Sequence, residues 1–223
     1  MVTSDRGGAI ECSDKVRRPR ASQGDVESVA KARPAAGLKS TSNVMMQKNK
    51  LAVPGVVLAL FGAIAVTNYL SLARPLQVVI AGDSRNHGIS ATAHYEYYVV
   101  PSSIVFDLED VGSNNSMADV TRVLLQYSAT LRDREYSDVT LAHAGVSKFK
   151  LDGKYFHQLG ADFDTQNPIY TIRTLPENVM NLDGSHAFSR WEGGWLGVFG
   201  KQMDDFNEFH KQWYVADMSK NPS

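Results

Sequence analysis

The sequence predicts an α+β protein: one N-terminal transmembrane or signal helix, then a small antiparallel sheet with helices packed on one face. Three observations carry this expectation. Residues 51–73 run for 23 positions without a charged side chain. The chain beyond them holds several short runs rich in β-branched and aromatic residues, separated by Gly, Asp and Asn turns. Between those runs lies one segment with a sustained helical period. Three regions follow: a basic tail over 1–47, the apolar segment over 48–73, and an extracytoplasmic α+β domain over 74–223.

The apolar run reads LAVPGVVLALFGAIAVTNYLSLA. At about 1.5 Å per helical residue it spans roughly 34 Å, against a hydrocarbon core of about 30 Å. Pro54 falls in the first turn, where a missing N–H is tolerated. Tyr69 lies near the far end, where interfacial aromatics concentrate. Thr67, Asn68 and Ser71 make that end more polar. The competing reading is a cleavable signal peptide, with Ser71 and Ala73 as the small residues before a cut after Ala73. A buried helix of a soluble core is the plain alternative. Lys48 and Lys50 precede the run and only Arg74 follows it, so the positive-inside rule places the N-terminus in the cytoplasm. The domain is then exported, or periplasmic or secreted if the segment is cut.

The first 44 residues contain no aromatic side chain and no persistent period. They read as a disordered tail, whose cluster Lys15, Arg17, Arg18 and Arg20 is either simply solvated or touches anionic lipid. Met45 and Met46 open a stretch with the layout of a signal sequence, so translation from Met1 and from Met45 or Met46 are both open.

Residues 74–223 carry 13 Lys/Arg and 19 Asp/Glu. That acidic balance argues against a nucleic-acid partner, which needs a basic face. The lone cysteine, Cys12, lies in the tail, so the domain has neither a disulfide framework nor a cysteine metal site.

Within the domain, residues 94–100 and 103–108 read as two strands punctuated by Pro101. Residues 116–135 read as a helix: Val120, Val123, Leu124, Tyr127 and Leu131 share one face, Ser116 is the N-cap, and Asp119 suits the first turn. Residues 138–143 and 146–151 form a hairpin about Ala144-Gly145. A short helix over 154–159 ends at Gly160. PIYTIR, residues 168–173, is a further strand, and 176–194 holds too many breakers for regular structure. A last helix over 196–215 places Phe199, Met203, Phe206, Phe209 or His210, and Trp213 on its packing face, with Lys201 opposite Asp205.

Chemistry is sparse. Val78 begins VVIAGDS, ending at Ser84, and far downstream stands Asp183-Gly184-Ser185-His186. These pieces resemble the first and last blocks of the SGNH (GDSL-type) hydrolases. The resemblance implies Ser84 as the nucleophile after a first strand, His186 as its base and Asp183 as the group orienting that base, acting on an ester. It covers about eleven residues. No Gly-x-Asn-Asp block stands between the two pieces, and the intervening elements read as hairpins rather than βα repeats.

Asp107, Glu109 and Asp110 form an acidic strand end without the spacing of a calcium loop. The six histidines make no HxxxH or HExxH pair. Asn114-Asn115-Ser116 matches a glycosylation sequon. Residues 190–200 mix Trp191, Trp195 and Phe199 with glycines, as a ligand or partner loop or as a plug against the sheet. The expectation is therefore a membrane-anchored or secreted envelope protein. Its domain acts as a non-enzymatic binding or scaffold module for an unknown protein or small molecule around Trp191 and Trp195. It has no assigned catalytic, cofactor or metal residue and no cofactor, and the SGNH-type esterase of Ser84, Asp183 and His186 is the alternative.

Overall fold

The computed structural model describes residues 43–220. The tail with Cys12 and its basic cluster lies outside the described residues, as do the side chains of residues 43–54, Trp195 and Leu196. The chain divides into two units, Met1–Val44 and Met45–Ser223, and everything below concerns the second.

Its first element is α1, which spans Asn43–Asn68 and so starts two residues before the unit does; α1 continues through a π-helical turn (Tyr69–Ala73) into α2 (Arg74–Gly82). The stretch Gly55–Gly82 is long and apolar enough to cross a membrane, and only 11 % of its most apolar window is buried. This helix is not at the N-terminus of the sequence, in contrast to the expectation. Its apolar side chains face outward all round: Val56, Val57, Leu58, Leu60 and Phe61 are all exposed. At about 100° per residue those five positions span one side, and exposed Ala59 and Val66 fill the other, so the helix has no polar face to turn to water. Past Asn68 its character changes, and Leu72 and Leu76 are completely buried. The helix thus runs without a break through the 73/74 boundary drawn from composition.

Five strands follow in the spatial order β1-β2-β3-β4-β5: β1 (Ile89–Glu96), β2 (Val100–Val111), β3 (Asp138–His143), β4 (Val146–Asp152) and β5 (Val179–Met180). The sheet is mixed rather than antiparallel. β2 and β3 are parallel, and the other three pairings are antiparallel. The reason is the connection: α3 (Met117–Thr130) crosses over between β2 and β3, and such a crossover returns the chain in its original direction. α3 starts with a capping box in which Ser116 and Asp119 satisfy each other's backbone N–H groups.

One sheet face holds the core. Phe106 pairs in register with Leu141, and Leu141 with Phe149. Phe106 touches both Tyr127 of α3 and Trp213, and Tyr127 meets Phe156 of α4 (Gly153–Asp162). The C-terminal helix α6 (Trp195–His210), a second π turn (Lys211–Val215) and α7 (Ala216–Met218) close this layer, with the Trp213 indole N–H donating to the Ala142 carbonyl at 2.9 Å.

Residues 176–194, expected to be irregular, hold a 3₁₀ turn (Pro176–Asn178) and β5, which pairs with β4, and three further elements differ from expectation. Pro168–Thr174 is a helix, α5, not a strand: Asn167 caps it by accepting from the Ile169 N–H, and Pro168 occupies the first turn. The turn between β1 and β2 is at Tyr97–Tyr98, and Pro101 lies instead in a bulge between Glu96↔Val100 and Tyr95↔Ile104, where no ladder N–H is needed. Gly160 does not end α4. A Cβ there would meet the Ser128 carbonyl at 2.4 Å, so this glycine lets α4 approach α3.

Candidate functional site

The junction of the apolar helix with the β1–β2 hairpin is built around Asn68. Its Nδ2 donates to Ile64 O at 2.9 Å and to Tyr98 O at 2.8 Å, and its Oδ1 accepts from the Tyr95 N–H at 2.8 Å. One side-chain amide thus uses both hydrogens and its oxygen, and two of the three bonds reach the hairpin. The π turn adds further ties. The Ser71 carbonyl accepts from Arg134 Nη1 at 3.1 Å, and the Leu72 carbonyl from the Tyr127 hydroxyl at 3.3 Å. Gln77 donates to Ala91 O on β1 at 2.9 Å. In the sequence, Asn68 is a polar blemish in an apolar run. Only its burial, at 6 % exposure, shows it to be a joint.

The hairpin tip at this joint is unusual. Tyr97 and Tyr98 both have positive φ, 50° and 64°. The tip is the three-residue loop 97–99 between the paired Glu96 and Val100, and left-handed positions in hairpin turns ordinarily hold Gly or Asn, because side chains with a Cβ are strained there. Tyr98 stacks on His94 with ring centroids 4.3 Å apart, whereas Tyr97 is 78 % exposed.

On the helical side of the sheet, a cleft of about 290 Å³ lies among α3, α4 and α5, lined by Thr121, Arg122, Leu125, Leu159, Phe163 and Ile172. The Arg122 Nη2 group pairs with Asp119, while its Nη1 is buried with no hydrogen-bond partner among the described residues. Burial alone raises the Asp119 carboxyl, but bonds from Ser116 and Arg122 outweigh it and hold the group below its ordinary value. The cleft therefore joins an apolar wall to the cationic side chain of Arg122, a combination suited to an apolar molecule bearing a carboxylate.

The residues singled out from sequence fall elsewhere. Ser84 follows a helix, not a strand, and begins a single 3₁₀ turn. Asp83 beside it is held by Arg85, whose side chain and backbone N–H both bond the carboxylate, and by Gln126. Asp183 accepts from the Ser185 N–H and hydroxyl, at 2.9 and 2.6 Å, rather than from His186. His186 pairs by its backbone with Met180 of β5. Ser84 leads into β1 and His186 borders β5, the two opposite edges of the sheet, so the fold does not bring the three groups together.

The acidic strand end is absorbed locally. Asp107 accepts from the Gly145 N–H, Glu109 from the Ser90 hydroxyl and Asp110 from the Val111 N–H. No group of three His, Cys, Asp or Glu suited to a metal occurs among the described residues. Trp191 is half-buried: its indole N–H donates to Asp205 at 2.7 Å, and Lys201 lies over its ring at 4.3 Å. The expected pairing of Lys201 with Asp205 is thus replaced by a shared contact with Trp191, which leaves this ring little free surface. Trp195 falls outside the described side chains. With this geometry in hand, no family model, curated protein or solved structure matches the chain.

Proposed function

We propose that the protein is a single-pass membrane-anchored binding module. The apolar helix is retained in the bilayer, the tail stays in the cytoplasm, and the acidic α+β domain faces the outside. The observation that supports it is the outward-facing apolar circumference of the helix over residues 56–61 joined, without a break, to a turn buried in the domain. A helix apolar all round needs lipid or protein around it, and this one has little protein. A cut after Ala73 would fall between two core residues, Leu72 and Leu76, which favours retention. Fractionation of cells expressing the full chain tests this. The protein should stay in the pellet through an alkaline carbonate wash. Recovery in the supernatant would remove the anchoring reading.

The binding reading rests on the cleft beside Arg122. A carboxylate placed there would meet the positive charge of Arg122, and the leucine and phenylalanine wall would take its chain. In detergent solution, octanoate should raise the thermal midpoint of the wild-type protein, since a ligand that binds only the folded state stabilises it. The Arg122→Met variant should show no such rise. Wild-type protein that fails to respond to octanoate would exclude this ligand class.

A further inference from the structure

We infer that the tip of the β1–β2 hairpin, Tyr97, Tyr98 and Val99, is a second membrane contact that sits in the headgroup region of the bilayer crossed by the helix. This inference rests on the anchored reading above and extends it from the helix to the domain. Three independent observations converge on it.

The first is position. A helix entering the hydrocarbon at Leu51, the residue after Lys50, traverses about 30 Å by Leu70. Asn68 therefore lies close to the exit, and Asn68 is the residue bonded to Tyr95 and Tyr98. The hairpin tip is held at the depth where the helix leaves the apolar core.

The second is surface chemistry. Tyr97, Tyr98 and Val99 are 78 %, 55 % and 58 % exposed, and on the helix beside them Tyr69 and Leu70 are 56 % and 52 % exposed. Three tyrosines and two aliphatic side chains form one band. Tyrosine is the residue type that accumulates at the interface, its ring among lipid carbonyls and its hydroxyl in water.

The third is strain. A left-handed residue with a Cβ is strained, because the Cβ crowds the following carbonyl oxygen. Tyr97 and Tyr98 both occupy that region, although glycine or asparagine would relieve it. Bulky rings kept in a strained, exposed turn point to a use for the rings themselves. The consequence is a domain fixed in tilt: the helix alone lets the domain lean over the surface, and a second contact at the same depth resists it.

The test uses the full chain in phosphatidylcholine vesicles, with Cys12→Ser as background. A single cysteine replaces Phe61, Tyr97 or Asn114 and carries an environment-sensitive NBD label. Phe61 reports the helix; Asn114 lies exposed beyond the far end of β2. Two lipids then act as quenchers, one with a nitroxide near the top of the acyl chain, within reach of position 97, and one with it near the chain end, within reach of position 61 about 15 Å below either face. The expected result is loss of emission at positions 61 and 97 and none at 114. Quenching at 61 with none at 97 overturns the hairpin contact and leaves the anchor standing. No quenching at 61 overturns the anchored reading, and the hairpin contact falls with it.

Discussion

His210 is the buried group with the clearest consequence at the scale of single residues. Its side chain is completely enclosed, with Nδ1 3.0 Å from Phe206 O and Nε2 3.0 Å from Thr121 Oγ1. A carbonyl only accepts, so Nδ1 carries the proton and the neutral ring's Nε2 is an acceptor; the Thr121 hydroxyl, also 3.0 Å from Met117 O, shares its single proton between that carbonyl and Nε2. Burial pushes the imidazole down to about 4, with the Phe206 bond opposing weakly. Above pH 6.5 the ring is neutral in both folded and unfolded chains. Between pH 6.5 and 4 the unfolded chain binds a proton that the folded one refuses, so stability falls as the pH falls through that window. The loss amounts to roughly 3 kcal/mol across it. Urea unfolding at pH 7 and pH 4.5 should show this loss in the wild type and a smaller one in His210→Leu. Equal losses in the two proteins would assign the acid sensitivity to other groups. In the sequence, His210 is legible as a member of an aromatic helical face, but not as a proton-refusing core group, because the threonine opposite it comes from α3, 89 residues earlier.

Elements whose signals are local are legible from sequence, and elements decided by distant neighbours are not. The start of α3 is written in Ser116 and Asp119, which bond each other within one turn. The β3–β4 hairpin is written in Ala144-Gly145, where both residues have positive φ. PIYTIR misleads because its β-branched residues resemble a strand, while Asn167 and Pro168 just before it supply a helix start. VVIAGDS misleads in the same way: its apolar run reads as a buried strand, yet it continues a helix already 31 residues long from Asn43 to Ala73. Gly160 illustrates a deeper limit. A glycine after an apolar turn ordinarily marks a helix end, but here it lies inside α4 so that two backbones can approach. Gly153 serves likewise, since a Cβ there would come within 1.8 Å of the Tyr136 carbonyl. Of the candidate site, the apolar helix was visible in advance. The Asn68 joint, the strained tyrosine turn and the Arg122 cleft depend on partners across the fold, and they were not.

For the molecule as a whole, the decisive question is where the apolar helix ends and the domain begins. Composition places the division after Ala73, at the last uncharged residue. Packing places it about one and a half turns earlier, at Asn68. Leu72 has no exposed surface, its carbonyl accepts from Tyr127, and the neighbouring Ser71 carbonyl accepts from Arg134. Removing a buried leucine side chain costs about 2–5 kcal/mol. Two orphaned donors and the lost Asn68 bonds add about 1 kcal/mol each. Against a total stability of about 5–15 kcal/mol, this is a large share. A fragment beginning at Arg74 should therefore unfold at a clearly lower urea concentration than one beginning at Ile64, which keeps Asn68 and the π turn. A matching pair of unfolding curves would mean that the helix is merely tethered to the sheet. A wide gap would mean that the apolar segment and the domain share one cooperative structure. In that case force or tilt applied to the helix is felt directly by β1, through Gln77 and Asn68, and by Tyr127, at the centre of the core.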